Sequence, residues 1–142
     1  ILKNFTIITS SLVPHEFNEF AIHDDSLGKV AREIISKIDN IIVLTPNIIE
    51  TLPFVSDTDN ELFNIALSKK VTLITDDIKL IRHCTPKINA EFSTYFLLAF
   101  VESGLLTKKE AIQKLERMRN VRNWQDNIIY LSSKDELNKI IE

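Results

Sequence analysis

Cysteine is nearly absent from this chain: Cys84 is the single thiol in 142 residues. One cysteine excludes an internal disulfide framework and favours a reducing, cytoplasmic setting. Glycine (2) and proline (4) are also scarce, which excludes Gly- or Pro-rich linkers and low-complexity tracts. No long hydrophobic run exists. The longest, Tyr95 to Val101, falls far short of the ~20 residues a membrane span needs, and no signal peptide is visible. An excess of one charge is missing too. A net charge of −3 excludes a uniformly basic nucleic-acid binder and leaves room for a local basic patch.

What is present reads as one globular domain over residues 1–142, with 44% hydrophobic and 26% charged residues, enough for a real core. The organising stretch is Ser56 to Arg82. Ser56 or Asp57 suits a helix cap, with Thr58 and Glu61 as an alternative capping box. Asp59, Leu62, Phe63 and Ala66 follow the i, i+3, i+4, i+7 rule, so Asp59 heads the stripe that faces the core. Val71 to Thr75 reads as a strand covered on both faces, delivering Asp76 and Asp77 at its carboxyl end, where open α/β sheets place ligands. Acids in those two places are costly to bring together unless a cation lies between them.

The rest of the chain alternates helix and strand. Phe5 to Ile8 is a short strand, and Ser10 or Ser11 caps a helix through Ile22, with Pro14 tolerated in its first turn. Val13, Phe17 and Phe20 mark its buried side. At about 100° per residue, Glu16 lies roughly 60° from the middle of that side and Glu19 roughly 120°, so Glu16 is the better candidate for a partly buried acid. Asp25 or Ser26 opens a helix with Leu27, Val30, Ile34 and Ile38 as its stripe. Ile41 to Leu44 is the next strand, followed by a short helix from Thr45-Pro46 to about Leu52. Ile88, Ala90 and Phe92 alternate as a strand. Ser93 or Thr94 caps a helix through Glu102, apolar nearly all round and so suited to the core or to a partner, which Gly104 ends. Thr107 and Glu110 form a capping box for a helix to about Arg119. Ile128 to Tyr130 reads as an edge strand, and Ser133 with Glu136 as the start of a C-terminal helix. Strands alternating with helices predict a parallel α/β sheet.

The run from Asp59 to Ala66, a strand, and then Thr75-Asp76-Asp77 resembles the second half of a PIN domain. Ser10 to Glu16 is similar to that family's segment bearing its glutamate. The tail from Ser93 through Gly104, Leu105, Glu110, Ala111 and Leu115 is similar to a subset of small prokaryotic members. The resemblance spans most of the chain and implies a three-layer α/β/α fold around a central, mainly parallel sheet. It also implies divalent-metal cleavage of RNA, in many members as the toxin of a toxin–antitoxin pair, with a protein antitoxin as partner. The family's acids map onto Glu16, Asp59 and Asp77, with Asp76 as a further metal-ligand candidate. The family's first aspartate lies on a central N-terminal strand with no counterpart before Ile1, so an upstream strand carrying an aspartate is expected.

Such acids would hold Mg²⁺ or Mn²⁺, hard cations that prefer carboxylate oxygen. Thr75 would orient a ligand or the attacking water. Lys69, Lys70, Lys79, Arg82 and Lys87 would meet phosphates. Simpler readings stand beside these. Asp57 to Asp59 and Asp76-Asp77 also suit plain helix N-termini, and Glu16 a solvated surface. His15, His23 and His83 show no metal spacing, and Cys84 reads as a small apolar filler. Trp124, after Arg117, Arg119 and Arg122, suits packing or stacking on a base. Ser56 to Asp59 also resembles the Asp-x-Asp loop of haloacid-dehalogenase phosphatases, with Asp57 as nucleophile and Asp59 as general acid, although Pro53 interrupts the strand it needs. A third reading is a catalytically silent binding module. The apolar helix at 93–102 predicts a homodimer.

Overall fold

The computed structural model describes Ile1 and residues 3–140. The fold is mixed α/β, with seven α-helices and two short parallel strand pairs among the described residues. By its contacts the chain forms two units. One comprises Ile1–Leu73 with Arg82–Asn89, the other Ile74–Ile81 with the chain from Ala90 onward.

In the first unit, β1 (Ile8–Ser10) pairs in parallel with β2 (Ile42–Leu44), Ile8 opposite Ile42 and Ser10 opposite Leu44. The crossover runs through α1 (Leu12–Ala21) and α2 (Ser26–Ile35). β1 therefore starts three residues later than Phe5 and runs straight into α1. Asp25 caps α2, its carboxylate accepting the Gly28 N–H at 2.7 Å. The predicted stripe is not the buried side of α2. Gly28 and Ala31 are buried, while Leu27 and Val30 stand 52% and 51% exposed. The reason is close approach: a Cβ at position 28 would lie 1.9 Å from the His23 carbonyl oxygen, so only the small-residue face fits there. Arg32 locks the same corner by donating to the Ala21 and His23 carbonyls at 2.6 and 3.0 Å.

Residues 45–56 contain no helix, against the expectation of one from Thr45-Pro46. Two asparagines of α3 (Asp57–Lys69) satisfy that segment's backbone instead. Fully buried Asn64 accepts the Ile49 and Glu50 N–H groups at 2.7 and 3.0 Å and donates to the Glu50 carbonyl at 2.8 Å. Asn60 accepts the Leu52 N–H at 3.0 Å. With its polar groups met from outside, the segment has no need of helical bonds of its own. α3 starts at the Ser56 cap and ends at Lys70, a non-glycine residue at φ 54°. The Thr58–Glu61 box does not form.

The predicted strand at 71–75 shortens to β3 (Leu73–Ile74), because the Val71 N–H is spent on the Ala66 carbonyl at the end of α3. β3 leads into α4 (Ile78–Cys84) and pairs with β4 (Ala90–Glu91). The strands thus lie in two separate pairs rather than in one sheet.

The core of the second unit joins α5 (Tyr95–Glu102), α6 (Lys108–Arg122) and α7 (Ile128–Lys139). Leu97, Ala111, Leu115, Trp124, Ile129, Tyr130 and Leu137 are its buried members, with Leu98 and Val101 packed against them. Every residue of Tyr95–Val101 is buried or half-buried, so much of the helix's all-round apolarity is taken up inside the unit. Gly104 at φ 72° ends α5, and the Thr107–Glu110 capping box opens α6, both as expected. Ile128 to Tyr130 is the first turn of α7, not a strand. Asn127 caps it by accepting the Ile129 N–H at 2.8 Å, and Ile129, Ser133 and Leu137 line its buried face at helical spacing. Ser133 is therefore a mid-helix residue rather than a cap; its hydroxyl bonds the Ile129 carbonyl and the Thr94 hydroxyl.

Candidate functional site

In the first unit the candidate residues gather at the carboxyl end of β1. Ser10, fully buried, accepts the Leu12 N–H at 3.2 Å and turns the chain directly into α1. The Ser11 N–H extends the ladder to the Leu44 carbonyl, and the Ser11 hydroxyl accepts from Thr45 at 2.9 Å. One turn into α1, Glu16 is exposed, yet its Oε1 accepts the hydroxyl of Thr58 in the first turn of α3. Asp59, the next residue, is half-buried. Its N–H donates to the Ser56 hydroxyl at 3.1 Å, and its Oδ2 accepts from that hydroxyl at 2.8 Å. The structure therefore brings Glu16 to the residue beside Asp59. Glu19 takes another direction and lies 3.7 Å from His15.

Cys84 is fully buried, and burial first, then the nearby charge of Asp59, pushes its thiol up to about 11. It is a neutral filler at ordinary pH, not a nucleophile. Asp57 opens α3 with no strand in 52–56 before it, so the Asp-x-Asp phosphatase loop lacks the strand that would carry it. Lys87 is paired with Glu50. A hollow of about 240 Å³ between Lys70, Thr72 and Lys87 is lined by none of the candidate acids.

The second unit holds Thr75, Asp76 and Asp77. The Thr75 N–H donates to the Glu91 carbonyl, and its hydroxyl accepts the Asp77 N–H at 3.1 Å. Asp77 Oδ1 accepts the N–H groups of Lys79 and Leu80 at 2.7 and 3.3 Å, making it the cap of α4. Asp76 is held differently. Its Oδ1 accepts the Ser93 N–H at 2.9 Å, and its Oδ2 accepts both the Ser93 hydroxyl, also at 2.9 Å, and the Arg122 guanidinium. Both oxygens are engaged and its charge is offset, which argues against Asp76 as a metal ligand.

Within either unit, no three His, Cys, Asp or Glu side chains gather as metal ligands among the described residues. Glu16 and Asp59 carry carboxylate oxygens, and their partners Thr58 and Ser56 hydroxyl oxygens, which are the donor types a hard cation prefers. Thr58, Ser93 and Arg122 escaped sequence reasoning as partners of these acids. Thr58 and Ser93 were visible only as helix-cap residues, and Arg122 only as part of the basic stretch before Trp124.

No protein-family model, no curated protein and no solved structure matches this chain.

Proposed function

We propose that this chain is a divalent-cation-dependent ribonuclease of the PIN type. Glu16 and Asp59 would be acids that hold Mg²⁺ or Mn²⁺, with Asp77 as a further metal-ligand candidate. The observation that supports the reading is Glu16 hydrogen-bonded to Thr58, next to Asp59, at the carboxyl end of a parallel strand pair. That is where α/β folds bind ligands. Thr58 orients the Glu16 carboxylate and Ser56 that of Asp59, while the Ser11 and Thr45 hydroxyls, bonded to each other, would be able to meet phosphate oxygens of RNA. A bound cation of this kind supplies an activated water and offsets charge on the leaving oxygen. The reading also calls for a three-layer arrangement and a further strand bearing an aspartate.

The experiment is RNA cleavage by the parent with Mg²⁺ or Mn²⁺ and with EDTA, beside Asp59→Asn and Asp77→Asn. Cleavage that EDTA stops, and that both variants lose, supports the reading. EDTA-resistant cleavage, or variants as active as the parent, would remove it.

A further inference from the structure

The second unit contains a cation that the proposed chemistry does not use, and its surroundings are unusually specific. Arg122 is the last residue of α6, after which Asn123 turns the chain at φ 53° and Trp124 folds back into the core at 9% exposure. The Trp124 ring lies 4.9 Å from the Arg122 guanidinium. A guanidinium held over an indole has its plane and direction restricted. It donates to Asp76 Oδ2. The other two donors to Asp76 both come from Ser93, ahead of α5, whose Leu97 belongs to the same core as Trp124. Asp76 is thus gripped from the end of α6 and the start of α5 together. Its chain neighbours are Thr75, bonded to Glu91, and Asp77, bonded to Thr75 and to the first amides of α4.

We infer that Arg122 is a positioning residue: through Asp76 it holds the Thr75–Asp77 turn, and so fixes the direction in which Asp77 presents its carboxylate. The inference rests on the ribonuclease reading for the role of Asp77, though not for the clamp itself. Asp76 is the anchor of this turn and Asp77 its working acid. The pair is 50% exposed on the arginine side and 22% on the aspartate side, and ion pairs this exposed contribute little to global stability. Loss of Arg122 should therefore loosen the turn locally and leave the fold standing.

The test compares the parent with Arg122→Ala and Arg122→Lys by amide hydrogen exchange, thermal melting and RNA cleavage with Mn²⁺. In Arg122→Ala, exchange at the Ser93 and Asp77 amides should quicken about tenfold while the melting temperature stays near that of the parent. Its kcat should fall about tenfold or more at nearly unchanged KM, as expected when a reacting group is misplaced rather than RNA released. Methylguanidinium added to Arg122→Ala should restore part of both readouts. Arg122→Lys, which keeps the charge without the planar fork, should fall between, and it carries the test should Arg122→Ala fail to fold. Unchanged exchange at both amides overturns the clamp. A parent-like kcat overturns the positioning of Asp77 by Arg122, and a raised KM at parent-like kcat would make Arg122 an RNA-contacting residue instead. A parent that cleaves no RNA removes the ribonuclease reading, and the exchange measurements then decide the clamp alone.

Discussion

Both units contain ion-paired acids, Glu50 with Lys87 in the first and Glu116 and Asp76 in the second, but the candidate acids of the first unit are held differently. In the second unit two acids are met by cations of the same unit. Glu116 accepts from Tyr130, Lys134 and Arg119, and Asp76 from Ser93 and Arg122. The Glu116 pairs tie α6 to α7, which share one core, and the Asp76 pairs tie the β3–α4 turn to the start of α5 and the end of α6. In the unit containing β1 and β2, Glu16 and Asp59 accept from hydroxyls, and neither is in an ion pair among the described residues. Both units leave apolar side chains in view, Ile22 at 80% and Phe54 at 98% exposed in one and Val121 at 87% in the other. An acid already paired with a cation is part of the scaffold. An acid oriented by hydroxyls retains a charge that a cation can answer. On the proposed reading, the acids without a cation partner are the ones a metal would take.

The largest effect that would sharpen the contrast lies in the helical core. Leu137 is fully buried in α7, and Leu137→Ala should lose about 2–5 kcal/mol in chemical denaturation, the range for a leucine truncated in a close-packed interior. Next comes Asn64 in the other unit. Asn64→Leu keeps the branched shape but leaves the Ile49 and Glu50 amides without their acceptor, at a loss of about 2–3 kcal/mol, measured the same way.

Glu116 yields a pH signature. Hydrogen bonds from Tyr130 and then Lys134 hold its carboxyl down from 4.5 to about 2. A depressed acid stabilises the fold above its unfolded-state pKa and loses that contribution as pH falls toward the folded one. The stability gap between the parent and Glu116→Gln should be full above about pH 4.5 and close between there and about pH 2. A gap that does not change with pH would mean the network is not electrostatic. The smallest effect is expected on the open face of α2. Leu27→Ser and Val30→Ser should each stay within about 0.5 kcal/mol of the parent. A loss as large as that of Leu137→Ala would show that something covers this face and would break the contrast between the units.

Local chemistry was legible in the sequence, and distant pairing was not. The caps Asp25, Ser56 and Thr107 with Glu110 were readable because a cap and its amide lie within three residues. Helix geometry ranked Glu16 above Glu19 as a partly buried acid, but both are exposed, α1 buries no residue and Phe20 is 43% exposed; the two acids differ only in partner, Thr58 for Glu16 and His15 for Glu19. The errors came from contacts that no local window holds. The 45–52 segment failed as a helix because Asn60 and Asn64 claim its amides. Ile128 to Tyr130 read as a strand because Ser133 interrupts the apolar period that α7 buries. The partners of the acids are more distant still, with Thr58 42 positions from Glu16 and Arg122 46 from Asp76. Asp76 and Asp77 therefore looked interchangeable in sequence, although one is clamped by a cation and the other caps a helix.

The central proposal is that the Glu16 and Asp59 carboxylates take a cation, beyond the part Asp59 plays in the Ser56 cap. Thermal melts of the parent, Asp59→Asn and Glu19→Gln with and without Mn²⁺ test it most directly, because they need no RNA substrate. The account predicts that Mn²⁺ raises the melting temperature of the parent and of Glu19→Gln but not of Asp59→Asn, which without metal should melt at or above the parent. An Asp59→Asn variant that melts well below the parent in metal-free buffer, or that gains as much from Mn²⁺ as the parent does, would contradict it.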